Sequence, residues 1–315
     1  MSVILAVDFG GTNIRVARFE NGQPPSQAQI KTPTRADEGP EAVLQRLKQS
    51  IAELLPDDRA DTKIGIGAPA PVDPYRGIVL RAPNLPGWKD IPLQKIVGDE
   101  FNVPVRVGND ANVAALGEWK FGAGRGSDNL IYLTISTGIG GGIITDGRLL
   151  LGSHGLGAEL GHMTLDPNGP LCGCGQRGHI EAIAAGPAIA ERAVTGLESG
   201  SSSSLNDIYS RSGRLEASDV GQAALSGDEF AIRVVQETGT LLGIHMANLT
   251  HAFNPETFVL GGGVSQIGSI LLEAIESSLR QHVMDPAYLD GLRIVPAELG
   301  DNAGLVGAMV LATQG

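Results

Sequence analysis

The 315-residue chain has little of what would tie it to several common classes of protein. It holds only two cysteines, Cys172 and Cys174, too few for an exported disulfide scaffold. Positive charge is scarce: 23 Lys and Arg stand against 35 Asp and Glu, a net charge of −12. Such a chain lacks the basic surface that grips a duplex, so no nucleic-acid partner is expected. No uninterrupted run of about 18 apolar residues occurs, so no membrane span is expected. The first apolar stretch has no basic leader and is ended by Asp8, which speaks against a secretory signal. The one sequon, Asn248-Leu249-Thr250, is then unused, and a cytoplasmic protein is expected. Familiar templates are missing too. There is no Gly-Lys pair for a Walker-type loop and no G-x-S-x-G elbow. Gly138 does not open a G-x-G-x-x-G fingerprint, because Ile143 takes its last position. Asp8-Phe9-Gly10 spells the metal triplet of protein kinases, without room upstream for their nucleotide lobe.

What is abundant is glycine: 44 residues, about twice the average usage of ~7%. Glycine clusters mark tight turns or close ligand approach. They fall here in an alternation of strands and helices, which indicates an α/β protein. Strands are expected over 3–8, 14–19, 63–67, 103–107, 129–136, 143–147, 257–260 and 293–296. Helices are expected over 40–55, 111–120, 187–194, 218–225, 229–252, 267–282 and from Ala303 onward. The Ser-rich tract 199–204 reads as an exposed loop. Leu5 to Gly22 laid beside Leu133 to Gly147 gives the same series twice: strand, polar residue, glycine turn, strand, Asn-Gly or Asp-Gly turn. This weak repeat implies two related domains.

Three glycine turns follow strands, at Gly10-Gly11-Thr12, at Thr137-Gly138-Ile139-Gly140-Gly141-Gly142 and at Gly261-Gly262-Gly263. Their bare N–H groups suit phosphate oxygens, and together they point to a nucleotide; the alternative is ordinary hairpin turns. Asp8 faces the first turn with Arg15 close by. A carboxylate at a phosphate site repels its ligand unless a cation intervenes, so Asp8 reads either as a Mg²⁺-orienting residue or as a turn cap. Asp110 follows Asn109 at a strand-to-helix junction and reads either as an N-cap or as a base for an alcohol. His162, Cys172, Cys174 and His179 form a plausible tetrahedral Zn²⁺ set, although C-x-C is shorter than common finger spacing. Glu159 and Glu181 flank that loop, either as acceptors for sugar hydroxyls or as solvated carboxylates.

These segments resemble the ROK family within the sugar-kinase, actin and heat-shock ATPase superfamily, in its bacterial glucokinase type. The resemblance runs over essentially the whole chain. Asp8-Phe-Gly-Gly-Thr-Asn-Ile-Arg15 is similar to the family's first phosphate motif, and Gly108-Asn109-Asp110-Ala111-Asn112 to its catalytic segment. Thr137 to Gly142 resembles the second phosphate motif, and Gly261-Gly262-Gly263 the adenosine motif. Glu159-Leu-Gly-His162 with Cys172-x-Cys174-Gly-x-x-Gly178-x-x-Glu181 resembles the family signature. The resemblance implies a two-domain actin-like fold, a duplicated ribonuclease H-like unit with an interdomain cleft. The expected limits are 1–118 with 300–315 for the smaller domain and 119–299 for the larger.

It further implies ATP-dependent phosphorylation of a hexose at its 6-hydroxyl, glucose first, by a homodimer. Asp110 is then the general base. Asn84, Asn109, Asp110, Glu159, His162 and Glu181 contact the sugar. Asp8, Gly10, Gly11, Thr12, Arg15, Thr137, Gly138, Gly140 and Gly261 to Gly263 serve ATP and Mg²⁺. One departure stands out: His179 occupies a place where the family usually has a third cysteine, and zinc is expected all the same. Alternatives are a kinase for mannose, fructose, N-acetylglucosamine or N-acetylmannosamine, a sugar-sensing repressor, and an actin-like ATPase without a sugar substrate.

Overall fold

The computed structural model describes residues 2–82 and 85–314. Strands β1 (Val3–Phe9), β2 (Asn13–Glu20) and β3 (Gln23–Pro33) form a meander, followed by α1 (Pro40–Ala52) and β4 (Thr62–Ala68). The short strands β5 (Val72–Asp73), β6 (Ile78–Arg81) and β7 (Lys89–Ile91) come next, then α2 (Leu93–Phe101), β8 (Val105–Asn109) and α3 (Asp110–Phe121). The chain continues through β9 (Leu130–Ile135), β10 (Ile139–Thr145) and β11 (Arg148–Leu149). Helices α4 (Ile180–Ala184), α5 (Gly186–Glu198), α6 (Leu205–Ser212), α7 (Ala217–Leu225) and α8 (Glu229–Phe253) precede β12 (Thr257–Gly261). The last elements are α9 (Ser269–His282), β13 (Arg293–Pro296) and α10 (Ala303–Thr313). Among the described residues, no helix is long and apolar enough to cross a membrane.

The chain divides into two compact units. The first is Met1–Asp128 with Gly142–Ala158 and Ala297–Gly315; the second is Asn129–Gly141 with Glu159–Pro296. The internal repeat becomes visible in the sheets. One five-stranded sheet has the order β3-β2-β1-β4-β8 and the other the order β11-β10-β9-β12-β13. In the first, β1 is antiparallel to β2 and parallel to β4, which is parallel to β8. In the second, β12 is parallel to both β9 and β13. Each meander turns on the same chemistry. Asn21 and Gly22 have φ of 54° and 62°, and Asp146 and Gly147 have 50° and 66°, the left-handed pair that a type I′ hairpin needs.

In the first unit β1 and β4 are buried along nearly their whole length, as parallel strands covered on both faces should be. Helix α1 buries Val43, Leu47 and Ile51, one stripe at four-residue spacing. Helix α10 is apolar all round and buried nearly throughout. Its Leu305, Val306, Met309, Val310 and Leu311 are each less than a tenth exposed. Burying side chains of this size is worth about 1.5–3 kcal/mol apiece, so α10 is a main support of the first sheet.

One expectation needs correcting. Gly140, Gly141 and Gly142 do not form a turn; they lie inside β10, and the turn shrinks to the few residues around Gly138. These glycines provide clearance. A Cβ on Gly141 would stand 2.5 Å from the Leu160 side chain, and one on Gly142 2.5 Å from Ala115 Cβ. Strand β3, the three short strands, α2 and α6 were not among the expected elements either.

Candidate active site

Within the first unit, the C-terminal edge of the parallel strands gathers the candidate chemistry. Asp8 on β1 is registered with Gly67 on β4, and Gly67 with Gly108 on β8. At a strand spacing of about 4.8 Å, Asp8 and the start of the Asn109-Asp110 junction are about 10 Å apart along this edge. That edge is where open α/β sheets place their ligands. The turn after β1 is closed by the Gly10 N–H donating to the Asn13 carbonyl at 2.9 Å. Thr34 braces it, its Oγ1 donating to the Gly10 carbonyl at 2.6 Å, and its N–H to the Thr12 carbonyl at 2.8 Å. Gly11 and Thr12 are accessible at its tip. Arg15 forms an ion pair with Asp8.

Asn109 is the N-cap of α3: its Oδ1 accepts from the N–H groups of Ala111 and Asn112 at 3.0 and 3.1 Å, and its Nδ2 donates to the Ala70 carbonyl at 3.3 Å. Asp110 is the first helical residue, with Oδ1 accepting the Ala111 N–H at 2.8 Å. Capping therefore falls to Asn109, which leaves the half-buried Asp110 carboxylate at the helix start. Asn84 lies outside the described residues. The segment behind it is anchored by Trp88, buried against Phe9 with ring centroids 4.9 Å apart.

The second unit carries a carboxylate and imidazole cluster. Glu181, in the first turn of α4, accepts the Ile139 N–H through Oε2 at 3.0 Å. Gly138 permits this approach, since a Cβ there would sit 2.5 Å from that same oxygen. Glu159 is exposed at its rim, yet the surrounding protein desolvates its carboxyl and raises its pKa. The charge of His162 opposes that rise and the nearby Glu181 reinforces it. Just before it, Ala158 has a φ of 67°, a left-handed conformation that costs a non-glycine residue about 1 kcal/mol.

Beside this cluster, the donor atoms of His162, Cys172, Cys174 and His179 all lie within 4.8 Å of one another. Cys172 Sγ is 3.7 Å from His162 Nδ1, and Cys174 Sγ is 3.3 Å from His179 Nδ1. Zn–S and Zn–N bonds of ~2.3 and ~2.05 Å at tetrahedral angles give S···N edges of about 3.6 Å, so two thiols and two imidazoles fit zinc here. His179, the departure from the family pattern, reaches the cluster. His162 turns Nδ1 toward the Cys172 sulfur, on the opposite side of the ring from Nε2. Burial pushes the Cys172 thiol up to about 11, and a metal must displace that proton to bind.

A cavity of about 640 Å³ in the second unit is lined by Thr137, Gly186, Glu216, Gln222, Gly263 and several aliphatic side chains, a size and composition suited to a small organic ligand. The three glycines after β12 divide their labour. Gly261 clears the Tyr132 hydroxyl, at 2.5 Å from where its Cβ would be. Gly262 has a φ of +84° and no room beside the Ile135 backbone, and Gly263 opens onto the cavity. Glu216 and Gln222 escaped the sequence reading. The only available signal was the Glu216-x-x-Asp219 capping box that starts α7.

A family model described as the ROK family matches residues 4–315. A glucokinase of Thermotoga maritima is 36% identical over 306 residues, covering 97% of this chain and 95% of its own. A glucokinase of Halalkalibacterium halodurans is 37% identical over 316 residues, covering 98% and 94%. Among solved structures, a ROK family glucokinase from Streptomyces griseus in complex with glucose and AMPPNP matches with a TM-score of 0.84 and 34% identity, over 100% of both chains.

Proposed function

The chain belongs to the ROK family and has its actin-like sugar-kinase fold, and from that premise we infer that it is an ATP-dependent kinase that phosphorylates glucose at the 6-hydroxyl. The structural observation that carries this reading is the pair of carboxylates, Asp8 and Asp110, on one edge of a parallel sheet, with Asn109 doing the capping. Asp110 accepts the proton of the 6-hydroxyl as its oxygen bonds to the γ-phosphorus and the bond to ADP breaks. An aspartate is a weak base for an alcohol, so proton removal comes late and positioning supplies most of the rate.

Asn84, Asn109, Glu159, His162 and Glu181 are the sugar contacts in this reading. The raised pKa of Glu159 reflects a desolvated carboxylate whose acceptor strength suits a hydroxyl. The 640 Å³ cavity takes the nucleoside beside Gly261, Gly262 and Gly263, with Thr137, Gly138 and Gly140 near its phosphates. Gly10, Gly11 and Thr12 form the second phosphate turn. Asp8 would hold Mg²⁺ through water, with Arg15 on one of its oxygens; the cation neutralises phosphate charge when bound. Zinc at His162, Cys172, Cys174 and His179 would fasten the loop that carries His162 and precedes Glu181. The chain acts as a cytoplasmic homodimer without nucleic acid; free cysteines and the charge of −12 support the first and last points.

A coupled ADP-release assay with glucose, mannose, fructose, N-acetylglucosamine and N-acetylmannosamine tests the activity. Glucose should give the highest kcat/KM, and an absence of sugar-dependent ADP release would sink the reading. Metal analysis should find one zinc per chain that Cys172→Ser loses, and sedimentation should find twice the chain mass.

A further inference from the structure

Asp8 is held from two directions inside its own unit. Arg15 places Nε, at 3.0 Å, and Nη2 on the same carboxylate oxygen, Oδ2. Nη2 also donates to the Asp301 carbonyl, in the turn Gly300–Asn302 that leads into α10. Oδ1 takes no hydrogen bond among the described residues. The other neighbour is Gly304, in the first turn of α10. A Cβ at Gly304 would lie 2.9 Å from the Asp8 Cγ and 3.0 and 3.1 Å from Oδ1 and Oδ2. Gly304 has no left-handed backbone that would call for glycine. Glycine inside a helix costs about 1 kcal/mol relative to alanine, so its place here needs a reason, and the seat of the Asp8 carboxylate is that reason.

We propose that Gly304 is a positioning residue for phosphoryl transfer. Its missing side chain lets Asp8 rest against the first turn of α10, where the helix N-terminus favours negative charge and Arg15 fixes one oxygen. Oδ1 is thereby left for the hydration shell of a magnesium-bound nucleotide. This inference rests on the reading of Asp8 as the magnesium-orienting residue and deepens it: α10 sets the aim of β1.

Gly304→Ala tests it. The atoms in the way belong to a side chain and not to backbone, so the carboxylate and its Arg15 partner shift and the helix does not. The variant should keep the wild-type melting temperature and glucose KM and lose on the order of 10²-fold in kcat, the usual effect of misplacing a group by about 1 Å. It should need more Mg²⁺ for half-maximal rate, and its calorimetric affinity for AMPPNP with Mg²⁺ should fall toward that without. Asp8→Ala should show a similar loss, and Gly304→Ala added to it should cost nothing further, because the collision partner is gone. Wild-type kcat and Mg²⁺ dependence in Gly304→Ala would overturn the proposal, as would an equal further loss in the Asp8→Ala background. If Gly304→Ala melts early, recovery of the melting temperature in the double variant supports the collision, and persistence of the defect overturns it. A wild-type chain that releases no ADP with glucose would instead defeat the functional reading, so the two failures are distinct.

Discussion

The two five-stranded sheets share one strand order, and each ends its first strand in a glycine turn, yet their edges carry different chemistry. Along the first, Asp8 and Asp110 present carboxylates on a rigid scaffold braced by Arg15, Thr34 and Asn109. Along the second, Ser136, which takes the place of Asp8 in the sequence repeat, follows the end of β9, and Gly261 to Gly263 stand where β12 ends. In the proposed reading the first edge handles a proton and a cation. The second is pared down to backbone, with a cavity beside it. On that reading, two edges of one strand order divide the work, the first taking the reaction and the second the grip.

The sharpest break of this comparison is Asp110→Ala. Loss of a positioned base should lower kcat by about 10²–10⁴-fold, while calorimetry should find glucose affinity largely retained; undiminished turnover would remove Asp110 from the chemistry. Next in size is a stability effect confined to the second unit. His245 on α8 is 1% exposed, its Nε2 has no hydrogen-bond partner among the described residues, and burial lowers its pKa to about 4. The unfolded chain binds the proton first, so nothing is lost above about pH 6.5, and stability falls as pH drops from there toward 4. The full loss is about 3 kcal/mol, at 1.36 kcal/mol per pKa unit. Urea melts at pH 7 and 4.5 should show most of it in the wild type and far less in His245→Leu. The smallest effect is expected at the equivalent of Asp8: Ser136→Ala should change kcat by less than about three-fold, about 0.6 kcal/mol. A loss there as large as that of Asp8→Ala would erase the distinction drawn above.

Much of the fold was legible because long buried strands and amphipathic helices announce themselves by period. The repeat was legible because Asn21-Gly22 and Asp146-Gly147 make the same left-handed turn. Strand β3 was not, since its Pro24, Pro25 and Pro33 argue against a strand and are tolerated only at a sheet edge. Gly140 to Gly142 misled for a different reason: glycine that gives clearance to Leu160 and Ala115 looks in sequence like glycine that makes a turn. Helix α6 could have been found, because Leu205, Ile208 and Tyr209 keep helical spacing directly after the serines. At the site, the residue types at Asp110, Glu181 and the Cys and His set were readable. That Asn109 caps, that Gly138 makes way for Glu181 and that Glu216 meets a cavity are facts of packing that no linear pattern contains.

Helix α10 has a consequence for how the molecule is made. It covers β1 and β4, yet Val3 opens the sequence and Ala303 comes near its close. During synthesis β1 and β4 must wait for every element between β4 and α10 before the face that α10 covers is sealed. Until α10 is made, that face of the sheet stays open, the kind of exposed apolar surface that makes partly folded chains prone to aggregate.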